Sequence, residues 1–146
     1  MFSRKRIKAV ELIKNNDRQE KIDNAVDKFL FEYHNKDVFN CMKQLGVLED
    51  LNVKDVDFYS GLAYYLAKDY DNAIYYFLNI SPSSPTYKEA LKGLATIYRD
   101  KGDYFNIDKL FFNSPSLLDS VTKFNFRLQC LINMELEETH QRINFF

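Results

Sequence analysis

The sequence predicts an all-α fold, a single domain over residues 1–146 built as a stack of helical hairpins. Three observations point that way. Apolar residues fall at helical spacing along nearly the whole chain; Val26, Phe29, Leu30 and Tyr33, at i, i+3, i+4 and i+7, share one stripe. Only 4 Gly and 3 Pro occur in 146 residues, too few for the many marked reversals of a sheet protein. Tyr70, Ala73 and Phe77 recur 34 residues later as Tyr104, Ile107 and Phe111, and recurrence at that length marks a repeat architecture.

Nine helices and no strand are expected. The first, over residues 4–15, collects Ile7, Ala9, Val10, Leu12 and Ile13 and ends at Asn15-Asn16-Asp17. Asp17 then caps a helix to Tyr33, with Glu20 completing a capping box. The turn from His34 to Asp37 leads into a shorter helix holding Val38, Cys41, Met42 and Leu45, closed near Gly46. Over residues 53–68, Val56, Phe58, Tyr59, Leu62, Ala63, Tyr65 and Leu66 nearly encircle a helix, which implies neighbours on more than one side.

Asp69 opens the next helix, whose Ala73, Phe77 and Ile80 form a buried line. The breaker from Ser81 to Pro85 follows, with Ser84 and Pro85 as cap and first turn of a helix over residues 85–101 carrying Leu91, Leu94, Ala95 and Tyr98. Gly102 stops it, and Asp103 caps a partner with Ile107, Leu110 and Phe111 inside. Ser114-Pro115 repeats the start signal for a helix to about Asn133, with Leu118, Val121, Phe124, Leu128 and Leu131 on its stripe. A last helix, Glu135 to Phe146, shows Leu136, Ile143 and Phe146 on a helical period.

Composition excludes several classes of function. A formal charge of −1 gives no electrostatic push toward nucleic acid or an anionic membrane, and the one basic cluster, Arg4-Lys5-Arg6 with Lys8, reads as a solvated helix face. No apolar run reaches the length of a membrane span. Cys41 and Cys130 lie far apart without metal-ligand spacing, which suits a reducing, cytoplasmic setting.

Glu137 and His140 have the spacing that helical di-iron sites use, but such sites need two of these pairs and two further glutamates. His34 is the only other histidine, Glu49-Asp50 and Glu137-Glu138 are ordinary solvated charge, and four glycines leave no phosphate-binding loop. A non-enzyme is therefore expected, with no catalytic residue, cofactor or metal. The remaining anomaly is aromatic: Tyr59, Tyr64, Tyr65, Tyr70, Tyr75 and Tyr76 are too dense for every ring to be interior, and tyrosine suits a recognition surface.

Gly61, Tyr64, Asp69, Tyr70, Ala73, Phe77 and Pro85 together resemble the tetratricopeptide repeat, a bacterial-type 34-residue helical hairpin. The next unit supplies Leu94, Ala95, Tyr98, Gly102-Asp103-Tyr104 and Phe111, with Ile107 where the family prefers a small residue. In the unit before, Cys41 stands for the small residue and Leu45 for the aromatic. Ala9 and Ile13, 32 residues before Cys41 and Leu45, make the first helix similar to the second half of a repeat, and the whole spans about 3.5–4 units.

The resemblance implies a right-handed superhelical solenoid whose first helix in each unit lines a concave groove for a protein or peptide. The groove candidates are then Asp27 and Phe31, Tyr59 and Leu66, Lys92, Thr96 and Arg99, and Asn125 and Gln129. Family members that clamp a peptide carboxylate use Asn, Lys and Arg at set positions; here the second-unit positions are apolar, which argues against that activity. Two other expectations stand beside it. The chain is an accessory repeat domain of a larger enzyme or regulator, which its abrupt end at Phe146 suggests, or a small secretion-type chaperone. Weak homodimerisation through the C-terminal end, Ile143 to Phe146, is expected at high concentration because terminal repeats normally need a polar outer face.

Overall fold

The computed structural model describes residues 4–145, with side chains from Arg4 to Ile143. Among them are seven helices and no strand: α1 (Arg4–His34), α2 (Val38–Asp50), α3 (Val56–Leu66), α4 (Tyr70–Leu78), α5 (Tyr87–Lys101), α6 (Tyr104–Asn113) and α7 (Ser120–Phe145). Every helix packs against the next in sequence. In addition α1 touches α3, α3 touches α5 and α5 touches α7, whereas α2, α4 and α6 do not approach one another. The odd helices thus form one layer and the even helices a second.

Three turns share one local solution. Lys36, Lys68 and Gly102 all adopt left-handed backbone, with φ of 58°, 60° and 68°. The next amide, of Asp37, Asp69 or Asp103, donates back to the carbonyl of Glu32, Tyr64 or Tyr98, the six-to-one bond that closes a helix C-terminus. That same aspartate then opens the following helix: one carboxylate oxygen accepts from the backbone N–H of Asn40, Asn72 or Asn106, and the other from the same residue's side-chain amide. A left-handed lysine costs roughly 1–2 kcal/mol. The cap returns about 0.5–2 kcal/mol, so each turn is held without glycine in two of the three cases.

The fourth residue after each capping aspartate, Cys41, Ala73 or Ile107, is fully buried, and the eighth, Leu45, Phe77 or Phe111, is nearly so. Phe77 is the tightest point. A Cβ on Gly61 would sit 2.4 Å from its ring and one on Gly93 would sit 2.8 Å away, so α3 and α5 close on the ring from two sides only because neither has a side chain there. Two clusters result: a smaller one around Phe29, Cys41, Leu48 and Ala63, and a larger one around Phe77, Leu94, Ile97, Ile107 and Cys130.

Several expectations fail at the periphery. Nine helices become seven, because α1 runs unbroken through Asn15, Asn16 and Asp17, and α7 runs unbroken through Asn133. Asp17 is consequently no cap and Glu20 completes no capping box; no Gly or Pro breaks the helix, and residues 4–21 are exposed, so no packing forces a turn. Gly46 does not close α2, which continues to Asp50 with open space around it. Ser114-Pro115 does not start α7; that helix begins at Ser120, where Asp119 Oδ1 accepts from the Thr122 N–H at 2.7 Å.

The buried side of α7 also differs from expectation. Val121, Phe124, Leu128 and Leu131 are exposed, while Phe126 and Cys130 face the core. The inner side was hidden in the sequence because the outer one is more apolar. It must accept close approach: a Cβ on Gly102 would meet the Met134 backbone N at 2.7 Å, and Asn133 Nδ2 donates to the Arg99 carbonyl at 2.8 Å. Cys130 and Asn133 are small enough to allow this. The expected period from Leu136 to Ile143 does lie on one exposed helix, but Phe146 is outside the described residues.

Candidate functional site

The odd layer carries all nine expected groove residues: Asp27 and Phe31 on α1, Tyr59 and Leu66 on α3, Lys92, Thr96 and Arg99 on α5, Asn125 and Gln129 on α7. Asp27 and Tyr59 share a depression. With Gln19, Ile22, Asp23, Val26, Val53 and Lys54 they line one open depression of about 630 Å³ between α1 and α3. Its floor is apolar and its α1 rim doubly acidic, because Asp23 and Asp27 are one turn apart on the same helix face. Gln19 Nε2 donates to Asp23 at 2.8 Å and fixes that carboxylate. Asp23 and Ile22 did not stand out in the sequence, and Val26 did so only as part of the apolar stripe; the acidic pair at i, i+4 beside that stripe was the available signal.

Tyr59 is anchored from below. Its ring meets Phe29 edge-on at 5.4 Å and Phe58 at 5.6 Å, so it is both wall of the depression and part of the smaller core. Burial, then the nearby Asp55 carboxylate, pushes its hydroxyl above the usual tyrosine value, so it is a neutral donor at physiological pH. Leu66 is half-buried in the same core, whereas Phe31 is exposed.

The α5 residues are more constrained. Arg99 Nε donates to Asp100 Oδ1 at 3.1 Å while its guanidinium lies over the Phe126 ring, 4.8 Å from the centroid, an arrangement that holds the group against α7. Thr96 spends its hydroxyl on the Lys92 carbonyl at 2.9 Å, and Lys92 pairs with Glu89 at 3.4 Å in an exposed salt bridge worth little. Asn125 is exposed, and Gln129 donates to Asn133 on its own helix. Of the nine, Asp27 and Tyr59 are thus gathered into one depression, and Phe31, Leu66 and the α5 and α7 members are not part of it.

The aromatic cluster resolves as a seam between α3 and α4. Tyr64 and Tyr76 stack at 5.5 Å, Tyr75 meets Tyr76 edge-on at 5.2 Å and is the exposed one, and the Tyr65 hydroxyl donates to Asp100 at 3.3 Å. Among the described residues no three His, Cys, Asp or Glu side chains converge as a metal site, and no helix is long and apolar enough to cross a membrane. No protein-family model, no curated protein and no solved structure matches the chain.

Proposed function

We propose that the chain is a tetratricopeptide-like stack of hairpins, wound as a right-handed superhelix, that acts as a non-catalytic protein-interaction module and holds a peptide segment along α1, α3, α5 and α7. One observation carries this reading. The odd helices touch in series and the even helices do not, and in a curved two-layer stack the more tightly spaced layer lies on the inside of the curve. A concave inner layer offers a continuous groove. The depression at Asp23, Asp27 and Tyr59 supplies an apolar floor with a tyrosine hydroxyl and two carboxylates at its rim, which suits a peptide pairing an apolar side chain with a lysine or arginine.

The test is a short peptide selected from a displayed library against the full chain, then mapped by amide chemical shifts. Shifts should concentrate on α1 and α3. Asp27→Ala should weaken that peptide roughly thirtyfold, about 2 kcal/mol, while Phe112→Ala on the even layer leaves affinity unchanged. Shifts confined to α2, α4 and α6 would overturn the proposal.

A further inference from the structure

The two ends of the stack carry unpartnered apolar stripes of opposite surrounding charge. On α1, Ile7, Val10 and Ile13 are each half or more exposed and, with Ala9 and Lys14, line one shallow depression of about 510 Å³. Arg4, Lys5, Lys8 and Lys14 surround them against a single acid, Glu11. On α7 the exposed stripe is Val121, Phe124, Leu128, Ile132, Leu136 and Ile143, with Glu135, Glu137 and Glu138 clustered at its C-terminal half and Arg142 the one cation near them. Such length of exposed apolar helix is unusual unless something covers it.

We infer that the covering element is the amino-terminal half of α1 from a second copy of this chain, laid along the outer stripe of α7. Charge selects this pairing. Two α1 halves facing each other would set cation against cation, and two α7 tails acid against acid, whereas α1 on α7 sets basic against acidic. The repeat supports the same pairing independently. Ala9 and Ile13 precede Cys41 and Leu45 by 32 residues, so this half of α1 has the small and large spacing of the even helices. Each of those lies on the odd helix before it: α2 on α1, α4 on α3, α6 on α5. No eighth helix lies on α7 among the described residues, and the second copy's α1 fills that place, with Ala9 allowing the close approach that Ala73 allows within the stack.

A stable interface uses roughly 20 to 30 residues a side, more than half of one helix provides. Two reciprocal contacts, α1 on α7 and α7 on α1, therefore form together in a closed dimer. The inference does not depend on the groove.

Sedimentation of the full chain tests it, with circular dichroism to verify folding, since every altered residue is exposed. Wild type should be dimeric and should dissociate as salt rises. Ile7→Asp with Ile13→Asp, and separately Leu128→Asp with Leu136→Asp, should each be monomeric. Mixing the two double variants should give a one-to-one dimer, weaker than the wild-type one but tighter than either variant alone, because one of the two α1–α7 contacts survives. Lys5→Glu with Lys14→Glu should weaken the wild-type dimer at least tenfold, and adding Glu135→Lys with Glu138→Lys in the same chain should restore it. A wild type that stays monomeric at millimolar concentration overturns the inference. So does an α1 variant that dimerises as tightly as wild type, which would indicate α7 pairing with α7, or a mixture that remains monomeric at millimolar concentration.

Discussion

The turn at Lys68-Asp69 and the run at Asn15-Asn16-Asp17 look alike in sequence, since both are polar stretches between apolar helical patterns and neither contains Gly or Pro. The first breaks the chain and the second does not. At Lys68 the backbone accepts φ of 60° because Asp69 caps α4 and because Ala73 and Phe77 must fold back beneath α3. Around Asn16 every residue from 4 to 21 is exposed, so no buried partner forces a turn and the helix continues at a cost of a few tenths of a kcal/mol for each of these weak helix formers. A turn in this molecule is made by what lies after it.

That contrast can be broken at its centre first. Phe77→Ala should cost about 3–5 kcal/mol and lower the melting temperature of the whole chain, because the ring fills the space that Gly61 and Gly93 leave open. Phe31→Ala, an aromatic of equal size on the exposed side of α1, should change stability by less than about 0.5 kcal/mol. Denaturant midpoints that shift equally would contradict the division between packed centre and open arm. Ala73→Leu, overpacking a fully buried site, should cost about 1–3 kcal/mol.

A smaller effect separates the two aspartates. Asp69→Ala removes both bonds to Asn72 and should destabilise by about 0.5–2 kcal/mol, whereas Asp17→Ala, inside a continuous exposed helix, should be neutral or slightly favourable. Glycines sharpen the comparison further. Gly46→Ala should stabilise by about 0.5–1 kcal/mol, since α2 runs straight through it with nothing within 4 Å, while Gly61→Ala should destabilise by forcing the Phe77 ring aside.

The smallest effect is one of pH. The backbone and side-chain bonds from Asn40 hold the Asp37 carboxyl below its ordinary value, and those from Thr122 do the same for Asp119. A lowered folded value means the contribution is complete above the unfolded value near about 3.9 and is lost as pH falls through the folded one. Acid titration followed by amide shifts should therefore loosen the first turns of α2 and α7 below about pH 4, before the core around Phe77 responds. Simultaneous loss of all three regions would show that the caps do not act locally.

Legibility followed the same boundary. Over residues 57–112 the small and large buried positions, the stop at Gly102 and the caps at Asp69 and Asp103 were visible, because each has a tertiary partner that makes its residue type necessary. The shared aspartate-to-asparagine cap at Asp37, Asp69 and Asp103 was equally present in the letters, but it emerges only when the three turns are superposed as one structure. Outside that span the signal holds at Phe29, Cys41 and Leu45 but fails toward the two ends. Periodicity picks the more apolar stripe, and on α7 that stripe faces solvent while Phe126 and Cys130 face α5 and α6. The depression at Asp27 and Tyr59 was half legible: its two aromatic and acidic candidates were identified, but the convergence of α1 with α3 that makes them neighbours is a property of packing.

Amide hydrogen exchange on the full chain, at a dilution where it is monomeric, tests the division most directly. Backbone amides of residues 60–111 should exchange together, at a rate set by global unfolding, while those of residues 8–20 in α1 exchange orders of magnitude faster despite being helical. Equal protection across α1 and the α3–α6 centre would contradict the account, because it would require burial of the first half of α1, whose residues 4–21 are all exposed.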